Sequence, residues 1–176
     1  MITRRTALKW LHWLSLGILL YFLAFEPENV DRLGATALAT HAGMGILLGI
    51  LTTIWFTMFL RKGLASRPGP KLPWWAKAIH PIAHKALYFG LPLMVMTGAL
   101  TGFAAPYAIH AFGLLPINPG LGARDIYELM NEIHELAFDA LTFIVIGHAV
   151  FHLWRHFGLK DNALRIMLPK AVHRYL

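Results

Sequence analysis

Four long, predominantly apolar stretches constrain this chain more than any other feature: roughly Ala7 to Phe25, Ala37 to Leu60, Ala78 to Ala105 and Asp125 to Trp154. Each reaches the 18 or so residues that a helix needs to cross a hydrocarbon layer about 30 Å thick, where every backbone polar group must find its partner within the chain. What lies between them is too short for a soluble domain. We therefore expect one domain over residues 1–176, an all-α integral membrane protein built as a four-transmembrane-helix bundle. The first stretch could pass for a secretory signal. Its apolar run is long, however, and no small-residue cleavage site follows, so it reads as a retained helix.

The chain carries sixteen Lys and Arg against nine Asp and Glu, a net +7, and topology explains this excess better than nucleic acid does. Arg4, Arg5 and Lys9 precede the first span. Arg61, Lys62, Arg67, Lys71, Lys77 and Lys85 flank the second connection, and Arg155, Lys160, Arg165, Lys170 and Arg174 follow the fourth span. Only Arg32 and Arg124 fall on the other side, which also holds Glu26, Glu28 and Asp31. The positive-inside rule then predicts both termini in the cytoplasm and a multi-pass protein of a bacterial inner membrane. Trp10, Trp13, Trp74, Trp75 and Trp154 gather at the same basic edge, as an interfacial aromatic belt would.

Four histidines occupy two depths. His41 lies 20 residues from Arg61, and His134 lies 21 residues from Arg155, so both stand about 30 Å from the basic edge. His148 lies seven residues from Arg155, and His12 lies fourteen residues from Glu26; these two form an inner level, His148 about 10 Å inside the basic edge. His134 and His148 are fourteen residues apart on one helix, a rise of about 21 Å that returns within about 40° to the same face. A pair of imidazoles at each level, one on either side of a porphyrin, is the arrangement that would hold two stacked b-type haems. The chain has no cysteine, which excludes thiolate metal sites, disulfides and covalently attached c-type haem.

Other residues compete for these roles. His84, with His80, lies near the inner depth on the third span, and His152 and His156 continue the His148 face at helical spacing, so His84, His152 or His156 could replace a member of the inner pair. His80, His110, His156 and His173 fall near connections or charged edges and read as structural or interfacial. Met94 and Met96 are chemically able to ligate iron but read as packing. Gly17, Gly43, Gly45, Gly49 and Gly147 lie near the histidines, where flat macrocycles would need small neighbours, although small residues also serve ordinary helix contacts. Pro92 is expected to kink the third span. Residues 66–73 form a breaker-rich loop, and the longer connection 106–122 contains an apolar patch, Ala111 to Leu115, that reads as a short helix on the membrane surface.

With these residues placed, a resemblance becomes specific. The chain resembles the bacterial cytochrome b561 family through Leu11-His12-Trp13-Leu14 in the first helix and Thr40-His41-Ala42-Gly43 opening the second. His84, Tyr88, Leu91-Pro92 and Gly98 in the third helix extend it, as do His134-Glu135 and Gly147-His148 in the fourth and the tail from Lys160 to Pro169. The resemblance implies a four-helix dihaem cytochrome in which His12, His41, His134 and His148 are the axial ligands and His84 is not. It also implies electron transfer between a one-electron donor and membrane ubiquinone, an oxidoreductase activity that in similar members takes superoxide as donor. Lys71, Lys77, His80, His84 and Lys85 surround the expected quinone or haem-propionate region, with topology anchoring as their alternative role. Two other functions remain open on the residues alone. One is a cytochrome b anchor for a larger dehydrogenase or hydrogenase; the other is a histidine-lined metal or proton transporter. Expected partners are membrane lipid, quinone and the donor, with oligomeric state open.

Overall fold

The computed structural model describes residues 3–25, 34–168 and 173–174. Four helices are long and apolar enough to cross a membrane: α1 (Arg4–Ala24), α2 (Ala35–Lys62), α3 (Trp74–Ala104) and α4 (Arg124–Leu153). They begin and end within four residues of the expected spans. Thr3 caps α1 by accepting from the Thr6 amide at 3.2 Å, which satisfies one of the orphan donors of the first turn. Gly63, at φ 66°, closes α2 in a left-handed conformation that costs glycine little. Helix α3 runs unbroken through both Pro81 and Pro92. Helix α4 continues through a π-helical turn, Trp154–Gly158, and a short helix α5 (Ala163–Met167) follows.

The bundle packs in sequence order, α1 on α2, α2 on α3 and α3 on α4. Its core is a layer of Ile18, Leu19, Phe22, Leu48, Leu91, Met94 and Leu141, drawn from all four helices. Outward faces are apolar too: Phe143 is 80% exposed, and Leu136, Phe103 and Phe89 are exposed as well. Such a surface suits lipid, where helices associate by close packing and not by escape from water. Lys9 donates to the Leu168 carbonyl at 3.1 Å and Trp13 Nε1 to that of Met167 at 3.0 Å. The start of α1 and the end of the chain therefore share one end of the bundle.

At the opposite end, residues 106–122 form an antiparallel hairpin in place of the expected surface helix. Strand β1 (Ala108–Ala111) pairs with β2 (Leu115–Pro119), with a bulge between Ile109 and His110. The turn takes positive φ at both Phe112 (53°) and Gly113 (72°), and the Leu114 amide donates to the Ala111 carbonyl at 3.1 Å, the signs of a type I′ turn. Phe112 tolerates that backbone because it docks: its amide donates to the Ala39 carbonyl at 2.7 Å, and its ring fills the place a side chain would take at Gly43. Asn118 pins the other strand, donating to the carbonyls of Gly102 (3.0 Å) and Ala105 (2.7 Å).

Two charged residues also depart from expectation. Arg155 is not a solvated anchor; it is buried with Asp161, both side chains 2% exposed and joined at 2.8 Å. Gly69 lets the 63–73 loop close over this pair, since a β-carbon there would meet both partners. Glu26, Glu28, Asp31, Arg32 and Lys170, which carried part of the charge argument, lie outside the described residues.

Candidate haem sites

Antiparallel packing turns the sequence depths into two clusters. At the hairpin end, α2 presents His41 and α4 presents His134, their rings 6.3 Å apart and nearly perpendicular. The pair brings imidazoles of α2 and α4 into one cluster at this level. Phe22 packs its ring 4.9 Å from that of His41 and seals the site from the core side.

The hydrogen bonding of His134 decides which nitrogen is available. Thr97 donates its hydroxyl proton to the Met94 carbonyl at 2.8 Å. With that proton spent on Met94, the Thr97 oxygen, 3.0 Å from His134 Nδ1, is placed to accept from it. That arrangement puts the His134 proton on Nδ1 and leaves the Nε2 lone pair for a metal, as outer partners of ligating histidines usually do. Gly98 provides room, because a β-carbon there would lie 2.8 Å from His134 Cε1. Sequence reading quoted Gly98 only as part of a resemblance and missed Thr97, whose back-bond to its own helix looks routine in a membrane segment.

The other end gathers more histidines than two. The His148 ring lies 5.0 Å from His84 and 4.5 Å from His152, and the His80 ring 4.3 Å from His84. His12 lies on α1, its ring 6.2 Å from that of Trp55. His80 was expected at an interface but is only 1% exposed; the 63–73 loop covers it, with Ser66 Oγ 3.2 Å from its Nε2. His156 is buried in the π-turn against Phe157. His110 is exposed on β1, and His173 lies 3.1 Å from the Leu168 carbonyl, both as expected for peripheral roles.

Helix packing supports a flat group at each level. Among the spanning helices described, α4 packs its backbone closely along α3 but not along α1 or α2. The His41–His134 ring pair joins α2 to α4 across one of the wider seams, and His12 on α1 and His148 on α4 lie on helices flanking the other. Gly17, Gly45 and Gly147 have no atom within 4 Å of a would-be β-carbon, whereas Gly43 and Gly49 face Phe112 and Val95. His41 Nδ1 and His148 Nδ1 are buried without a hydrogen-bond partner. Met94 packs in the core and Met96 is 53% exposed, so both serve packing. Lys77 and Lys85 are exposed on α3, and Lys71 donates to the Lys160 carbonyl at 2.8 Å, which ties the loop to the tail.

A family model described as prokaryotic cytochrome b561 matches residues 4–170. The chain is 26% identical over 171 residues to cytochrome b561 homolog 1 of Escherichia coli K12, an alignment that covers 92% of this chain and 94% of that one. It is 23% identical over 167 residues to the probable superoxide oxidase CybB of Yersinia pestis, covering 91% and 92%.

Proposed function

Because the chain belongs to the prokaryotic cytochrome b561 family, multi-pass membrane proteins of haem-based transmembrane electron transfer, we propose that it holds two b haems and passes single electrons between an outer donor and ubiquinone. His41 and His134 hold one haem at the hairpin end; His12 and His148 hold the other at the basic end. The observation that carries this reading is the His41–His134 pair, its rings 6.3 Å apart, with Thr97 hydrogen-bonded to His134.

When bound, b haem would supply one-electron ferric–ferrous chemistry, held by these four histidines. The chain does the rest. Thr97 and Gly98 orient His134, and Phe22 backs His41. The core layer around Leu48 and Leu141 keeps water out from between the two levels, so charge within the span stays on the held groups. At the basic end, Trp74, Trp75, Lys77 and Lys85 form an aromatic and cationic rim suited to a quinone head that enters from the lipid. The hairpin end faces the outside, as the positive-inside rule requires of the less basic end.

The donor is the finer question. Superoxide is suggested by the name of one relative, and an anion is drawn fastest to a positive mouth. Arg124, the arginine nearest that mouth among the described residues, is paired with Glu128 at 2.9 Å on an exposed helix turn, which weakens its field. The test is optical. Purified protein should show dithionite-reduced minus oxidised bands of b haem at about two haems per chain, and reconstituted protein with ubiquinone should reduce quinone when superoxide is generated outside. Absence of visible absorption would reject electron transfer and favour a histidine-lined transporter. Haem reduction by quinol with no superoxide response would keep the architecture and replace the donor.

A further inference from the structure

We infer that His80, His84 and His152 form a binding site for a divalent transition ion of the zinc class, separate from the four haem-ligand positions. The ligand atoms of these three side chains lie within 4.8 Å of one another. His80 and His84 are four apart on α3 and so share a face, and His152 meets them from α4, the helix packed most closely on α3.

Each ring's hydrogen bonding supports the assignment. His84 donates Nδ1–H to the His80 carbonyl at 2.8 Å, which leaves its Nε2 lone pair uncommitted. His80 engages Ser66 through Nε2, while its Nδ1 is buried with no partner; His152 Nε2 is buried with no partner as well. Leaving a buried polar nitrogen unsatisfied is costly, and these two belong to side chains of the one cluster. A cation bound there would satisfy both. The backbone carbonyl on His84 and the Ser66 hydroxyl on His80 are the kind of outer contacts that orient ligating imidazoles.

Donor chemistry selects the ion. Three neutral imidazoles with no carboxylate suit zinc or copper(II) and suit calcium or magnesium poorly. Three histidines leave a fourth, open position on a tetrahedral ion. Arg155 stands near this cluster, but its charge is balanced by Asp161 at 2.8 Å. The inference rests on the reading above in one respect: His148, and not His84 or His152, ligates the basic-end haem.

Zinc itself is the probe. Haem-loaded protein in detergent is stripped with chelator, dialysed against Zn²⁺ and then against metal-free buffer, and zinc and haem are counted per chain. The wild type should retain about one zinc. His80→Ala and His152→Ala should lose it while keeping the wild-type haem count and spectrum, which shows that they are folded. Ser66→Ala leaves every ligand in place, and its zinc affinity should fall roughly 10- to 100-fold. No zinc retained by the wild type, zinc unchanged in the histidine variants, or haem lost together with zinc in His152→Ala would each overturn the site. A wild-type haem count of zero would instead sink the electron-transfer reading, and the zinc counts would still decide this one.

Discussion

At the scale of single residues, the hairpin-end site makes the sharpest demands. His41→Ala or His134→Ala should remove about one haem per chain and spare the other, because the two levels are separated along the bundle; a full complement of both haems in either variant would refute the pairing. Gly98→Ala should act like a ligand mutation from a neighbouring helix, since its new methyl would lie 2.8 Å from the His134 ring. Thr97→Val keeps the volume and removes the acceptor, so the haem should remain but bind roughly 10- to 100-fold more weakly, measurable by competition with a haem-scavenging protein. The meeting of His41 and His134 was legible because depth in a helix is a linear count from a charged edge. Thr97 and Gly98 were not, because their roles exist only once α3 meets α4. The burial of His80 was hidden for a related reason: it stands six residues into its helix, where the sequence shows an edge, but the loop folds back to cover it through Ser66.

At the scale of elements, hydropathy located all four helices because spanning a bilayer leaves a chain few choices. The hairpin escaped notice for equally physical reasons. Its strands are four and five residues long, two prolines interrupt the second, and its turn is Phe-Gly in place of the Asn-Gly that usually marks a type I′ connection. Gly113→Ala should cost about 1–2 kcal/mol for placing a β-carbon at positive φ, read as an earlier thermal midpoint in detergent, with loosening confined to residues near His41. The buried Arg155–Asp161 pair was hidden because a charge count treats every arginine near a helix end as solvated. Asp161→Ala leaves that guanidinium buried and unpaired, so it should destabilise the protein by about 3–5 kcal/mol. Replacing both partners with apolar residues should recover most of the loss.

At the scale of the whole molecule, the start of α1 and the segment at Met167 and Leu168 lie at one end, and the charge asymmetry predicts that this end is cytoplasmic. Reporter fusions should be active in the cytoplasm at either terminus and outside when inserted at Leu114, on the exposed hairpin tip; the opposite pattern would invert the proposed direction of electron flow. Neutralising Arg124 should slow superoxide-driven reduction by no more than a few-fold, because its pairing with Glu128 already weakens its field. The fourteen-residue interval between His134 and His148 has an electrical meaning as well. It places the two levels about 21 Å apart in a dielectric about 30 Å thick, so a charge moved between them crosses some two-thirds of the membrane field. A full crossing is worth about 2.3 kcal/mol per 100 mV, so each 100 mV should shift the balance of reduction between the levels by about 1.5 kcal/mol, roughly tenfold. In an energised cell the bundle would then act as a voltmeter, its redox state reporting the polarisation of the membrane that houses it.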